Sequence, residues 1–347
     1  MGGPAETMPA AVYKGRRTVV VEEVPVPRIG DDQVLLQVSH CGVCGTDLHL
    51  MMEDWGLPGS VAGHEYSGEV AAVGAAVEGW GVGDRAVGGP GRGCGTCGPC
   101  RAGRTNLCVT RQLWNPDVSV TGAFAPFKAV DAASLFRVPE GLDLRTAALT
   151  EPLAVALHGV HRSAVPAGSR ALVTGAGPIG LLTVAVLRAV GVADVTVSEP
   201  GARRRELATK VGAAVVGAPG DLPVPEMPME LVPAPFDVAF ECSGRSDAME
   251  AALANLGRAG TLVLSGSGMH RPRFDPNRII LNELVVTGTA EYTPADYEEA
   301  LELLASARLP TADLIEPDDV PLSGMLAAME QLVAGERAGK VMVVPRA

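Results

Sequence analysis

The stretch from Arg170 to Glu199 constrains the fold of this chain more than any other. Arg170–Thr174 and Asp194–Glu199 are short, Val-rich runs of strand character, and Ile179–Ala189 between them is an apolar segment of helical length. Two strands joined by a crossover helix run parallel, and parallel sheets are covered by helices on both faces, so this part of the chain is committed to a layered α/β sheet. The turn between the first strand and the helix reads Gly175-Ala-Gly177-Pro178-Ile179-Gly180. Gly175 permits a tight turn, Gly177 lets a pyrophosphate approach the backbone, Gly180 lets helix and strand pack closely, and the helix N-terminus faces the phosphate charge. Glu199 follows Gly180 by 19 residues, the distance at which an acid meets the ribose of a bound dinucleotide. An acid there selects NAD over NADP because it repels a 2′-phosphate. Arg203, Arg204 and Arg205 follow at once and either weaken that choice or are solvated helix charges. Gly175, Gly177, Pro178, Ile179, Gly180, Glu199, Arg204 and Gly266 form the expected cofactor set.

The alternation continues with a helix over 202–211, strands at 213–216, 236–242, 261–265 and 284–288, and a helix at 246–256. Helices at 294–307 and 323–334 lead to a final strand at 340–344. Ala218–Pro235 interrupts it with six prolines, which exclude a long helix, so a surface loop with at most one short turn near Met227–Leu231 is expected. Before residue 155 the chain reads instead as short strands bounded by Gly and Pro, among them Arg17–Val24, Gln33–His40 and Gly68–Val73. The 347 residues suit two domains. With 40 acidic against 28 basic residues and no basic stripe, nucleic acid is excluded as a partner. The charge-free run Ala171–Leu187 is short for a membrane span and is broken by glycine and proline, so no membrane association is expected.

Seven cysteines, an odd number in a long chain whose N-terminus lacks the pattern of an export signal, argue for metal or redox chemistry in a reducing, cytoplasmic compartment. Four of them form Cys94-x2-Cys97-x2-Cys100-x7-Cys108. That spacing suits a tetrahedral Zn²⁺ held by four thiolates. Such a closed site leaves no position for substrate and is therefore structural. A bacterial iron–sulfur cluster has similar spacing and is the alternative. Arg92, Arg101 and Arg104 stand ready to offset the negative charge of the thiolates.

Two further segments, Cys41-Gly-Val-Cys44-Gly-Thr46-Asp47-Leu-His49 and Gly63-His64-Glu65, together with Glu151-Pro152, supply the thiolate, imidazole and carboxylates of a metal site with an open position. With these motifs, the four-cysteine lobe, the glycine turn and Phe240-Glu-Cys-Ser-Gly244, the chain resembles the zinc-dependent medium-chain dehydrogenases/reductases that act on alcohols, polyols and threonine. The matching pieces span nearly the whole chain in family order. The resemblance implies a GroES-like β-rich catalytic domain over residues 1–156, to which 294–347 return, around a Rossmann doubly wound NAD-binding domain over 157–293.

Carried onto this chain, the family pattern makes Cys44 and His64 ligands of a catalytic zinc, with Glu65 and Glu151 as the carboxylates placed there. Asp47 matches the acid that fixes the histidine. Cys41 matches no ligand, and pairing with Cys44 as a redox Cys-x-x-Cys is its rival reading. Zn²⁺ with one thiolate, one neutral imidazole and one carboxylate is neutral. A second carboxylate makes it a poorer Lewis acid, so either Glu65 or Glu151 is expected to release, or to bind through water, when substrate enters. A substrate hydroxyl at the open position becomes easier to deprotonate, Thr46 accepts its proton, and the family relay ends at His49 while hydride leaves for NAD. Two zincs per chain, a small alcohol or polyol substrate and a homodimer or homotetramer are implied. Threonine or amino-alcohol oxidation, or a non-catalytic zinc and dinucleotide protein, are the alternatives. Gly88-Gly-Pro-Gly-Arg92 replaces the acidic and histidine residues of threonine dehydrogenases, and Ala290-Glu291-Tyr292 stands where polyol dehydrogenases carry Arg-Tyr.

Overall fold

The computed structural model describes residues 6–89, 91, 93–110 and 122–346. Two compact units divide the chain. One takes the chain up to Glu151 together with Thr293–Ser306 and the segment from Ile315 onward; the other takes Pro152–Tyr292 and Ala307–Leu314. The short segment 307–314 leaves the C-terminal part assigned to the first domain because its helix Thr311–Leu314 packs on helices Pro178–Ala189 and Ala202–Val211.

The second unit is built on a six-stranded, all-parallel sheet. Its order is Val215–Gly217, Asp194–Ser198, Arg170–Thr174, Phe236–Glu241, Leu256–Leu264 and Val285–Gly288. Strand order therefore reverses between Arg170–Thr174 and Phe236–Glu241, and ligands of such sheets bind at the carboxyl ends of the strands flanking that point. The central strands are buried on both faces, which is why they read as continuous apolar runs. The strand expected at 261–265 begins at Leu256. Gly257 and the left-handed Ala259 (φ +58°) bend its first half and hide its alternation in the sequence.

The proline-rich stretch is a loop, as its composition requires, with a 3₁₀ turn at Pro219–Asp221 and a further turn at Met227–Glu230. Buried side chains fasten it. Asn255 Nδ2 donates to Pro223 O at 3.1 Å, Asn282 Nδ2 to Pro228 O at 2.9 Å, and Arg278 Nη1 to Glu230 O at 2.8 Å.

The first unit holds a hairpin, Thr7–Gly15 with Thr18–Pro25, and a mostly antiparallel seven-stranded sheet. Three pairings in that sheet matter for function. Gln33–Gly42 pairs antiparallel with Glu65–Val73, which sets Gly42 opposite Glu65. Met342–Val344 pairs antiparallel with the same Gln33–Gly42 strand, setting Met342 opposite Gly42. The chain's last strand thus lies beside the end of an early one. The returning helix Pro294–Ala305 starts at a Thr293–Asp296 capping box and is tied in by the buried Tyr297 hydroxyl, which donates to Gly88 O. Val12, Tyr13, Leu36, Met51, Phe124 and Met329 centre the core beneath.

Candidate active site

Antiparallel pairing explains why residues twenty apart in sequence meet. Cys44 lies two residues beyond Gly42 and caps the helix Gly45–Met52, while His64 directly precedes the strand that Glu65 begins. The two strand ends are cross-strand neighbours, so Cys44, His64 and Glu65 converge. Their ligand atoms lie within 4.8 Å of one another. Gly42 leaves room for this geometry, since a Cβ there would stand 2.2 Å from Glu65 Oε2 and 3.2 Å from Glu65 Cβ and Lys340 Cδ. Glu65 is fully buried, and its Oε2 has no hydrogen-bond partner. A buried carboxylate oxygen left unpaired is costly in a protein alone and suits a bound cation. The electrostatics point the same way. Desolvation pulls the His64 imidazole down, but Cys44, Asp47 and Glu151 outweigh it and hold it well above the usual histidine range. Thiolate, imidazole and carboxylate are the donor types Zn²⁺ takes in catalytic sites.

Glu151, in the first turn of helix Thr150–Ser163, is not one of the three converging groups, although His64, Tyr297 and Lys340 all feel its charge. Asp47 is wholly buried. Its Oδ2 accepts the Cys44 N–H at 2.9 Å, and its Oδ1 stands 3.9 Å from His64 Nδ1, longer than a hydrogen bond. Burial raises its carboxyl while His64 opposes that shift. Thr46 and His49 occupy positions i and i+3 of the same short helix, on one face. His49 Nδ1 lies 2.9 Å from Glu53 Oε2, and its ring stacks on Trp55 at 4.9 Å. Cys41 is fully buried in the core, its thiol pushed well up by burial and by Asp47, and is not part of the converging group.

The four sulfurs of Cys94, Cys97, Cys100 and Cys108 also lie within 4.8 Å of one another, and all are free thiols. Tetrahedral Zn–S bonds of about 2.3 Å place sulfurs roughly 3.8 Å apart, so the cluster is of the right size. Gly93 makes room for it, since a Cβ there would stand 2.6 Å from Cys100 Sγ, and Gly95 supplies a left-handed turn (φ +71°). Backbone N–H groups feed the sulfurs: Cys97 N to Cys94 Sγ at 3.3 Å and Cys94 N to Cys108 Sγ at 3.2 Å. The Thr96 hydroxyl and the Thr96 and Cys97 amides hold the Cys94 thiol down at about 5, and Thr110 and the Cys94 amide hold Cys108 at about 7, whereas burial lifts Cys100 to about 12. Arg101 turns to Thr96 O, and Arg92 lies outside the described residues.

In the second unit the glycine turn opens helix Pro178–Ala189 with Gly177 as N-cap and Pro178 as its first residue. Gly175 is left-handed (φ +89°), and a Cβ on Gly180 would stand 1.9 Å from Gly175 O, so these two glycines supply the tight turn and the close helix–strand packing of the motif. Glu199 is 3 % exposed. Its Oε2 accepts from Ala176 N and its Oε1 from Gly201 N, both at 2.8 Å, so the acid ties the end of its strand to the glycine turn. Arg204 is half-buried on the next helix, and Gly266 packs against Gly244 at the carboxyl end of the sheet. Cys242 lies beneath the turn, its Sγ 3.8 Å from Thr183 Oγ1.

Comparison with known proteins defines the class. The alcohol dehydrogenase GroES-like domain matches residues 30–140, and the zinc-binding dehydrogenase domain matches residues 178–306. The chain is 36% identical to 2-dehydro-3-deoxy-L-galactonate 5-dehydrogenase of Pseudoalteromonas atlantica (96% of this chain, 98% of that one). It is 34% identical to sorbitol dehydrogenase of Bacillus subtilis (98% of each). A solved structure from Sinorhizobium meliloti 1021, described as a zinc-binding dehydrogenase and bound to NADP, superposes with a TM-score of 0.87 at 31% identity, covering 98% of this chain and 100% of that one. The chain belongs to the zinc-binding medium-chain dehydrogenases and is an oxidoreductase of the alcohol dehydrogenase type. No helix among the described residues is long and apolar enough to cross a membrane.

Proposed function

We propose that this enzyme oxidises a secondary alcohol of a small polyol-type substrate with NAD, and runs the reverse reduction. The observation that carries this reading is the convergence of Cys44, His64 and the orphaned Glu65 Oε2 beside Thr46. Glu65 rather than Glu151 is the carboxylate that joins Cys44 and His64 around the metal, and a second zinc sits in the four-cysteine lobe. When bound, Zn²⁺ makes a substrate hydroxyl a stronger acid and NAD accepts the hydride from its carbon. The chain's own groups do the rest. Thr46 Oγ1 takes the hydroxyl proton. His49, whose Nδ1 lies 2.9 Å from Glu53 Oε2, receives that proton and passes it to solvent. Asp47 fixes the N-terminus of the Thr46 helix through the Cys44 amide and faces His64.

Glu199, immobilised by two amides, favours NAD. Like-charge repulsion of ~2 kcal/mol gives an expected kcat/KM preference of about 30-fold over NADP. The decisive experiment is a panel of alcohols, diols, polyols and amino alcohols with each cofactor, followed by absorbance of the reduced nicotinamide and paired with metal analysis. Polyol oxidation with NAD and two zincs per chain is the expected result. Absence of zinc overturns the reading, and turnover confined to amino alcohols replaces the substrate class.

The cytoplasmic assignment rests on the seven cysteines, all free and five of them in the two proposed metal sites. Homo-oligomerisation is proposed from the outer strand Val285–Gly288, where Val285 and Val286 are 51% and 37% exposed beside the exposed Ile280 and Leu281. Val286→Lys is expected to yield monomers in sedimentation velocity. A wild-type monomer would dismiss the assignment.

A further inference from the structure

Lys340 belongs to no sequence motif, yet the fold carries its ammonium to the ligand group. Nζ lies 2.6 Å from Glu65 Oε1 and donates to Val43 O at 3.0 Å, with the lysine and glutamate side chains 2% and 0% exposed. Val43 immediately precedes Cys44. One buried ammonium therefore fastens the ends of both strands that bring the ligands together. Its own backbone is fixed as firmly. Glu316 N donates to Lys340 O at 2.9 Å, Glu316 Oε1 accepts Ala338 N and Gly339 N at 2.8 Å, and Val43 N donates to Val341 O at 3.0 Å. Burying an ammonium costs several kcal/mol unless it is paired and hydrogen-bonded, so a lysine held this way is a built feature.

We propose that Lys340 is a positioning residue for the catalytic metal: it anchors Oε1 of Glu65 and leaves the unpartnered Oε2 as the oxygen available to the ion. The proposal rests on the assignment of Cys44, His64 and Glu65 as zinc ligands.

The test is a double-mutant cycle on metal retention. Wild type, Lys340→Met, Glu65→Gln and the double variant are equilibrated against graded free Zn²⁺ and their zinc per chain counted, with circular dichroism as the fold control. Lys340→Met is expected to weaken the catalytic zinc about 10- to 100-fold, the range for partners that orient metal ligands, and to leave the four-cysteine zinc in place. In the Glu65→Gln background the same change is expected to have no further effect. Unchanged retention in Lys340→Met, or a loss of equal size in both backgrounds, overturns the proposal. If Lys340→Met does not fold, Lys340→Gln, which keeps N–H donors without the charge, enters the same cycle with the same outcomes. A wild type that holds only the four-cysteine zinc refutes the ligand assignment itself, which separates the two failures.

Discussion

Replacing His64 with alanine is expected to remove the catalytic zinc and nearly all activity while leaving the fold intact. The imidazole side chain is 41% exposed and stands 3.9 Å from Asp47 Oδ1, longer than a hydrogen bond, so little packing is lost with it. Cys44 and Glu65 alone cannot close a three-ligand site. Lewis-acid assistance is worth several kcal/mol in the transition state, so kcat/KM is expected to fall on the order of 10³-fold or more. Zinc is expected to drop from two per chain to one, with the melting temperature shifted by only a few degrees. Coenzyme affinity is expected to hold, because the glycine turn belongs to the other unit. Near-normal turnover in His64→Ala would remove the imidazole from the site's chemistry.

The largest effect on stability is expected at Arg278, which touches no part of either metal site. Its side chain is 4% exposed and all three guanidinium nitrogens donate to backbone carbonyls: Nε to Leu253 at 3.3 Å, Nη2 to Ala254 and to Leu256 at 3.1 Å, and Nη1 to Pro228 at 3.3 Å and Glu230 at 2.8 Å. Leu253 and Ala254 end the helix Ser246–Ala254, where the last carbonyls have no partner within the helix. Pro228 and Glu230 belong to the proline-rich loop, which has no ladder of its own. Arg278 therefore caps one element and fastens another. Its burial pulls the guanidinium down, which Asp275 and Glu230 oppose. Arg278→Met would strand several buried carbonyls at about 1–3 kcal/mol each, and partial relaxation makes ~3–5 kcal/mol the expected total. For a unit of this size the melting temperature should fall on the order of 10 °C by circular dichroism, with zinc content unchanged. Arg278→Lys is expected to recover only part, because an ammonium donates from a single point and cannot span five acceptors. A melting temperature within about 2 °C of wild type would show that the loop holds without it.

Motifs whose function lies in local backbone conformation were readable from the sequence. The glycine turn needs only a strand before it and a helix after it, and Arg170–Thr174 and Pro178–Ala189 form as their patterns require. The four-cysteine lobe closes within fifteen residues. The helix Gly45–Met52 was not legible as a helix, because it is only two turns long with a weak amphipathic pattern, and its side-chain positions follow from Cys44 and Asp47 capping its first turn. Where the proline-rich loop packs was equally hidden, since Asn255, Arg278 and Asn282 carry no signal that would mark them as its anchors.

The sequence by itself showed four cysteines spaced for a metal, glycines placed to admit a dinucleotide and the strands of a parallel sheet, while the catalytic ligands and the return to the first domain were expected from the family resemblance. The former depend on residues close together in the chain, where spacing constrains geometry. Tertiary structure alone decided that Glu65 is the carboxylate standing with Cys44 and His64, and that Lys340 pairs with it. Gly42 opposite Glu65, and Lys340 brought to both by the pairing of the last strand with an early one, join positions nearly 300 residues apart. A buried ion pair of that separation arises from strand register, and strand register across a sheet is set by the packing of the whole unit.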